Sequence, residues 1–184
     1  MSEYYTLKLC GLTRQLRKVP VSPTLIIASF VMLGDTELVE TCADALYEKL
    51  KEMKEIDLLV CPEAKGIPLT HALAVRLGVD YVVARKSVKG YMENPIVAEV
   101  KSITTKEKQF IVLDGLDVDK LKGKKVCVVD DVVSTGGSLK SLQEVLAQTG
   151  CEVIRKVTVL LEEGGYNGED LTYLERLPVF PVEK

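Results

Sequence analysis

At 184 residues, 47% of them hydrophobic, the chain has material for one core of ordinary domain size. The net charge of −3, with Lys and Arg interleaved among Asp and Glu, argues against a polyanion-binding protein and leaves room only for a local basic pocket. Five cysteines, an odd number without a CxxC pair, fit neither a disulfide framework nor a zinc site and read as reduced core residues. The start "MSEYYTLKLCGL" lacks the basic-then-apolar order of a secretory leader, and no apolar run approaches the roughly 20 residues that span a bilayer. The expectation is a cytoplasmic protein with no membrane and no nucleic-acid partner.

In chain order, the first 38 residues fit no alternating pattern and are expected to pack beside the main body. "ETCADALYEKLKEM", Glu40 to Met53, places Cys42, Ala45, Leu46, Leu50 and Met53 at helical spacing. "IDLLVC", Ile56 to Cys61, is an uninterrupted apolar run suited to a strand covered on both faces. "GIPLTHALAVRLG" reads as a helix that tolerates Pro68 in its first turn and closes at Gly78. "VDYVVARK", Val79 to Lys86, is a second strand, and the runs Ile96 to Ile103 and Gln109 to Leu113 form a hairpin. "KVCVVDD" is a third strand, "GGSLKSLQEVLAQTG" a helix, and "EVIRKVTVLLEE" a fourth strand. The alternation predicts an α/β fold, a mainly parallel twisted sheet flanked by helices. No linker divides the chain, so it reads as a single domain over 1–184. Its core runs from about 38 to 162, with a small hood from about 1–37 and 163–184.

Ligands of open parallel sheets bind beyond the carboxyl ends of the strands. There the chain sets Asp130 and Asp131, followed at a helix start by Ser134, Thr135, Gly136, Gly137 and Ser138. Free N–H groups at a helix N-terminus cradle a phosphate. Two carboxylates would repel that phosphate, but they accept hydrogen bonds from a diol such as a ribose, or face a metal ion. The combination suits a sugar phosphate. A plain strand-to-helix turn capped by Ser134 or Thr135 competes with this reading for either half of the motif alone. Neither GxxxxGK[ST] nor GxGxxG occurs.

"VCVVDDVVSTGGS" resembles the phosphoribosyl-pyrophosphate signature of the type I phosphoribosyltransferases. "LLVCPEAKGIPLTHALAVRLGVDYVVARK" is similar to the corresponding stretch of the adenine, xanthine and archaeal-type hypoxanthine enzymes, so the likeness runs from about Ile56 to Glu162. It implies the type I fold and transfer of a phosphoribosyl group from phosphoribosyl pyrophosphate to a free purine, with Mg2+ carried mainly on the pyrophosphate and a homodimeric assembly. By resemblance, Asp130 and Asp131 are catalytic and the turn Ser134 to Ser138 binds the 5-phosphate. Ala64, Lys65 and Gly66 of "PEAKG" form the pyrophosphate loop, and Arg85 and Lys86 reach the same anion. The segment Ser87 to Phe110, with Lys89, Gly90, Tyr91, Glu93, Asn94, Lys101, Thr104 and Lys106, corresponds to a mobile lid.

Departures from the family pattern bear on chemistry and base choice. Ser134 stands where the hypoxanthine-guanine enzymes carry an acid, and Leu113 with Asp114 where adenine enzymes carry Leu-Glu-Tyr-Gly. Glu163, beside Glu162, aligns with a lysine that the xanthine enzyme turns toward a 6-oxo group, and Met32 with an asparagine of some 6-oxopurine relatives. A carboxylate at that position favours adenine, whose exocyclic amine donates. His71, Phe30, Phe110 and Phe180 read as packing or surface, although one phenylalanine could lie on a purine face. The alternatives are a xanthine or hypoxanthine enzyme and a non-catalytic sensor of phosphoribosyl pyrophosphate, as in transcription-controlling relatives of the fold. The latter carry a DNA-binding module for which this chain has no basic recognition segment.

Overall fold

The computed structural model describes residues 3–53, 55–100, 109–167 and 170–182. Its elements are β1 (Tyr4–Leu9), β2 (Leu12–Ser22), β3 (Leu25–Ser29), α1 (Thr36–Leu50), β4 (Leu58–Pro62), α2 (Ile67–Leu77), β5 (Asp80–Ala84), β6 (Ile96–Val100), β7 (Gln109–Leu113), α3 (Gly115–Leu121), β8 (Lys125–Val133), α4 (Gly137–Leu146), β9 (Glu152–Glu162), β10 (Leu171–Leu177) and β11 (Val179–Pro181).

Five strands form one wholly parallel sheet in the order β10-β9-β8-β4-β5. Strand alternation explains its two covered faces. Cys127 and Val129 of β8, with Leu59, Val157 and Val159, pack against Cys42, Leu46 and Leu50 of α1 and Leu69 and Leu73 of α2. Val126 and Val128, with Leu58 and Val60, meet Leu139, Leu142, Val145 and Leu146 of α4 and Ile111 and Leu113 of the β6–β7 hairpin. Pro68 sits in the first turn of α2, and Gly78 ends that helix in the left-handed conformation, as the sequence predicts.

A second, antiparallel sheet has the order β1-β2-β3-β11, so the N-terminal residues and the last strand share one lobe. Its inner face, Leu7, Leu9, Leu16 and Ala28, joins the α1 side of the core. The tail is divided, however. β10 adds to the edge of the main sheet parallel to β9, so the core continues past residue 162 and only β11 belongs to the lobe. Parallel neighbours usually need a crossover of a dozen or more residues. Here eight residues, 163–170, make the connection, and the sequence "GGYNGED" gives no hint of it. The seven-residue α3 also has no counterpart in the sequence reading, being too short to show periodicity. Among the described residues no helix is long and apolar enough to cross a membrane.

Candidate active site

β8 runs two residues beyond "KVCVVDD" because β9 is long enough to pair with it as far as Val133, through Val132↔Leu160 and Val133↔Leu161. Adjacent residues of a strand face opposite sides. Asp130 accordingly lines a small cavity of about 70 Å3 with Val132, Val133 and the turn Ser134–Leu139. Asp131 lines a second cavity under the lobe, and both carboxylates line the cleft between them. The amide of Asp131 donates to Asp130 Oδ1 at 2.9 Å, while Asp131 Oδ2 is buried without a partner. Burial raises the Asp130 carboxyl well above the ordinary value and the neighbouring Asp131 charge adds to this; burial also raises Asp131, and Lys65 opposes both shifts.

The turn itself begins α4 at Gly136, which has φ +79, and no side chain caps that helix. Ser134 and Thr135 therefore leave the first N–H groups free for an outside acceptor, contrary to the plain capping reading.

The loop Pro62–Gly66 follows β4 and opens α2, with its Glu63–Ala64 peptide cis. Ala64 and Lys65 are exposed and line the cleft with Lys86, Phe110 and Ser138. Gly66 lies against Asp130, with its backbone near the Asp130 Cα. The basic pair is split. Lys86 lines the cleft, whereas Arg85 is not among its lining residues. Arg85 instead meets Glu63, Nε to Oε2 at 3.2 Å and Nη2 to Oε1 at 3.4 Å, and Nη1 donates to the Tyr91 hydroxyl at 3.1 Å. Glu63 also accepts from the Lys86 amide at 3.0 Å; that bond, followed by Arg85, holds its carboxyl below the ordinary value. Arg85 thus ties the loop to the segment after β5 through Glu63 and Tyr91, while Lys86 is the member of the pair that lines the cleft.

Lys89 donates to Ser87 Oγ at 2.6 Å and is likewise outside the cleft lining. The segment is pinned at its base, where the Gly115 amide donates to Glu93 O at 3.0 Å and the Glu93 amide to Asp114 Oδ1 at 3.1 Å. Lys101, Thr104 and Lys106 lie outside the described residues. Leu113 is fully buried and Asp114 is engaged with Glu93, so neither presents a carboxylate to the cleft.

The cavity under the lobe, about 210 Å3, is lined by Ile27–Phe30, Lys65, Asp131, Val132, Ser134, Glu162 and Leu177. Glu162 lines it and Glu163 does not. The two are consecutive at the end of a strand, so only one can face the lobe, and the exposed Glu163 uses its amide to donate to Leu177 O at 2.9 Å. Glu162 is half-buried, and burial raises its carboxyl. Phe30 lines the same cavity, Phe110 lines the cleft, and Phe180 packs on Tyr5 in the lobe at 5.8 Å between centroids. Met32 is wholly buried in the core and lines neither cavity. His71 is exposed on α2, edge-on to Tyr81 at the start of β5.

Two strand-to-helix turns thus flank a carboxylate pair at one edge of a parallel sheet, and a further cavity lies between that edge and a separate lobe. A family model for the phosphoribosyl transferase domain matches residues 33–178. The chain is 33% identical over 144 residues to the hypoxanthine/guanine phosphoribosyltransferase of Methanothermus fervidus, covering 78% of this chain and 70% of that one. It is 32% identical over 141 residues to the adenine phosphoribosyltransferase of Thermosipho africanus, covering 76% and 78%. The crystal structure of adenine phosphoribosyltransferase from Thermoanaerobacter pseudethanolicus superposes with a TM-score of 0.70 at 24% identity, covering 88% of this chain and 95% of that one. The chain belongs to the type I phosphoribosyltransferases, in the branch of the purine enzymes.

Proposed function

We propose that the protein transfers the 5-phosphoribosyl group from phosphoribosyl pyrophosphate to a free purine, adenine in preference to the 6-oxopurines, in purine salvage. The observation that carries this is the contiguous set of groups at the sheet edge: phosphate turn, carboxylate pair and basic loop around adjoining cavities, one of them under the lobe. The turn Ser134–Ser138 takes the 5-phosphate, Asp130 and Asp131 accept from the ribose hydroxyls, and Lys65 with Lys86 face the pyrophosphate. The bond from C1 to the pyrophosphate oxygen breaks with its electron pair leaving on pyrophosphate. N9 of the purine gives up its proton to a departing pyrophosphate oxygen or to water, and the electron pair so freed forms the new C1–N9 bond. Charge complementarity and positioning then supply most of the rate.

Among the described residues no three His, Cys, Asp or Glu side chains gather at one point. The carboxylates of Asp130 and Asp131 in the cleft are hard oxygen donors of the kind that would face a Mg2+ carried chiefly by phosphate and water oxygens, and the ion would supply charge to the leaving group. Exposed Val88 and Tyr91 beyond β5 offer apolar surface to the homodimer that we take the protein to form.

Base choice rests on Glu162. A carboxylate at the end of β9 accepts from the 6-amino group of adenine and opposes the carbonyl of hypoxanthine, guanine or xanthine. An acceptor facing an acceptor costs about 1–3 kcal/mol, or roughly tenfold to a hundredfold in selectivity. The expected result is a higher kcat/KM for adenine than for hypoxanthine, with the ratio falling at least about tenfold in Glu162→Lys. Preference for hypoxanthine or xanthine, or an unchanged ratio in the variant, contradicts this assignment. One observation favours a second reading, a non-catalytic sensor: neither Leu113 nor Asp114 brings a carboxylate to the cleft. A sensor binds phosphoribosyl pyrophosphate and turns over no base.

A further inference from the structure

α4 begins without a side-chain cap, at two successive glycines, so little in its own sequence holds the phosphate turn in one shape. The connection between β9 and β10 does so from behind. The Tyr166 amide donates to Ser134 O at 2.6 Å, and the Tyr166 ring lies so close to Gly136 that a Cβ on that glycine would collide with it. A Cβ on Gly165 would likewise collide with the Ser134 carbonyl. The far end of the ring is fixed in turn, because the Tyr166 hydroxyl donates to Asp170 Oδ1 at 3.0 Å.

Asp170 is held by Lys156, a residue of β9 opposite Val128 on the α4 face of the sheet. Lys156 is only 5% exposed, and its ammonium meets the Asp170 carboxylate and lies 3.4 Å from the Tyr166 hydroxyl. A lysine inside a parallel sheet is costly unless it is paired. Burial pulls its ammonium downward, and Asp170 with Tyr166 more than offset this, leaving it raised. Nothing in "EVIRKVTVLLEE" itself marks Lys156, since the run has the pattern of one strand and the lysine's partners lie ten and fourteen positions further on.

We propose that Lys156, Asp170 and Tyr166 form a brace that positions the phosphate turn: Lys156 fixes Asp170, Asp170 fixes the Tyr166 hydroxyl, and the Tyr166 ring and amide hold Ser134 and Gly136 in the shape that receives a 5-phosphate. The three are positioning residues and touch no reacting atom. The proposal rests on the reading of the turn given under Proposed function, and it concerns one half of the substrate only. The pyrophosphate end is held by separate groups, Lys65 and Lys86 beyond β4 and β5.

That separation supplies the test. Calorimetry measures ribose 5-phosphate and inorganic pyrophosphate binding to the wild type, Tyr166→Phe and Lys156→Met, and steady-state assays with adenine give kcat and KM for phosphoribosyl pyrophosphate. Loss of the brace is expected to weaken ribose 5-phosphate about tenfold in Tyr166→Phe and further in Lys156→Met, with pyrophosphate affinity unchanged. KM should rise by the same factor while kcat stays within about twofold. Variants that fold, bind ribose 5-phosphate like the wild type and keep its KM overturn the brace, as do variants that lose both ligands equally. If Lys156→Met does not fold, Tyr166→Phe, which lacks only one oxygen, decides. A wild type with no affinity for ribose 5-phosphate overturns the reading of the turn together with the brace, whereas equal affinity in wild type and variants overturns the brace alone.

Discussion

Replacing Asp130 and Asp131 together by asparagine is expected to abolish phosphoribosyl pyrophosphate binding and at the same time to stabilise the unliganded protein at neutral pH. Each carboxylate accepts from a ribose hydroxyl with about 1.5–3 kcal/mol, so losing two such bonds weakens binding by roughly a hundredfold to ten-thousandfold. The stability gain follows from the same burial that prepares the site. Both carboxyls are raised in the folded protein, by burial first, and Asp130 further by its neighbour's charge. A raised acid binds its proton more tightly in the folded than in the unfolded chain. Its stabilising contribution is therefore present below the unfolded value of about 4 and is lost as the pH climbs through the folded value. The asparagine variant has no such loss. The difference in Tm between variant and wild type should widen upward from about pH 4, and the melts read it directly. Undiminished affinity for phosphoribosyl pyrophosphate in the variant contradicts the assignment of the pair.

Gly136→Ala is expected to have the next largest effect, a loss of roughly tenfold to a hundredfold in ribose 5-phosphate affinity, because the alanine strains the backbone and displaces the Tyr166 ring. At φ +79 an L-residue costs about 1–2 kcal/mol. The collision with Tyr166 adds to this, since moving the ring pulls on the Tyr166 amide and Ser134. Gly150→Ala is the natural control. That glycine has φ +78 with open space where a Cβ would lie, so it carries the backbone cost without a neighbour to displace. Thermal melts should show a loss of stability in both variants, larger in Gly136→Ala, and calorimetry a loss of ligand only in Gly136→Ala. Equal ligand affinity in both would separate the turn from phosphate binding.

The most legible part of the site is the one written locally. In "VCVVDDVVSTGGS" an apolar strand, two charges and a glycine turn follow one another, and strand, carboxylates and turn stand in that order in space. The parallel sheet was legible for the same reason, its strands being short apolar runs separated by amphipathic helical runs, one of them closed by Gly78. What was not legible depends on pairings between distant positions or on the parity of a strand end. Arg85 and Lys86 look equivalent as a basic pair, but Glu63, 22 positions earlier, takes the arginine and leaves the lysine to the cleft. Glu162 and Glu163 look interchangeable until the end of β9 decides which one faces the lobe. β10 lies in the segment expected to belong to the hood, because "LTYLERL" carries no mark of its partner, and only its pairing with β9 makes it an edge strand of the main sheet.

The most direct test is turnover: the protein is incubated with phosphoribosyl pyrophosphate, Mg2+ and, in separate reactions, adenine, hypoxanthine, guanine and xanthine, and both released pyrophosphate and nucleotide are quantified. Stoichiometric pyrophosphate and nucleoside monophosphate are expected, fastest with adenine. Tight binding of phosphoribosyl pyrophosphate with no pyrophosphate released on any of the four bases would contradict this.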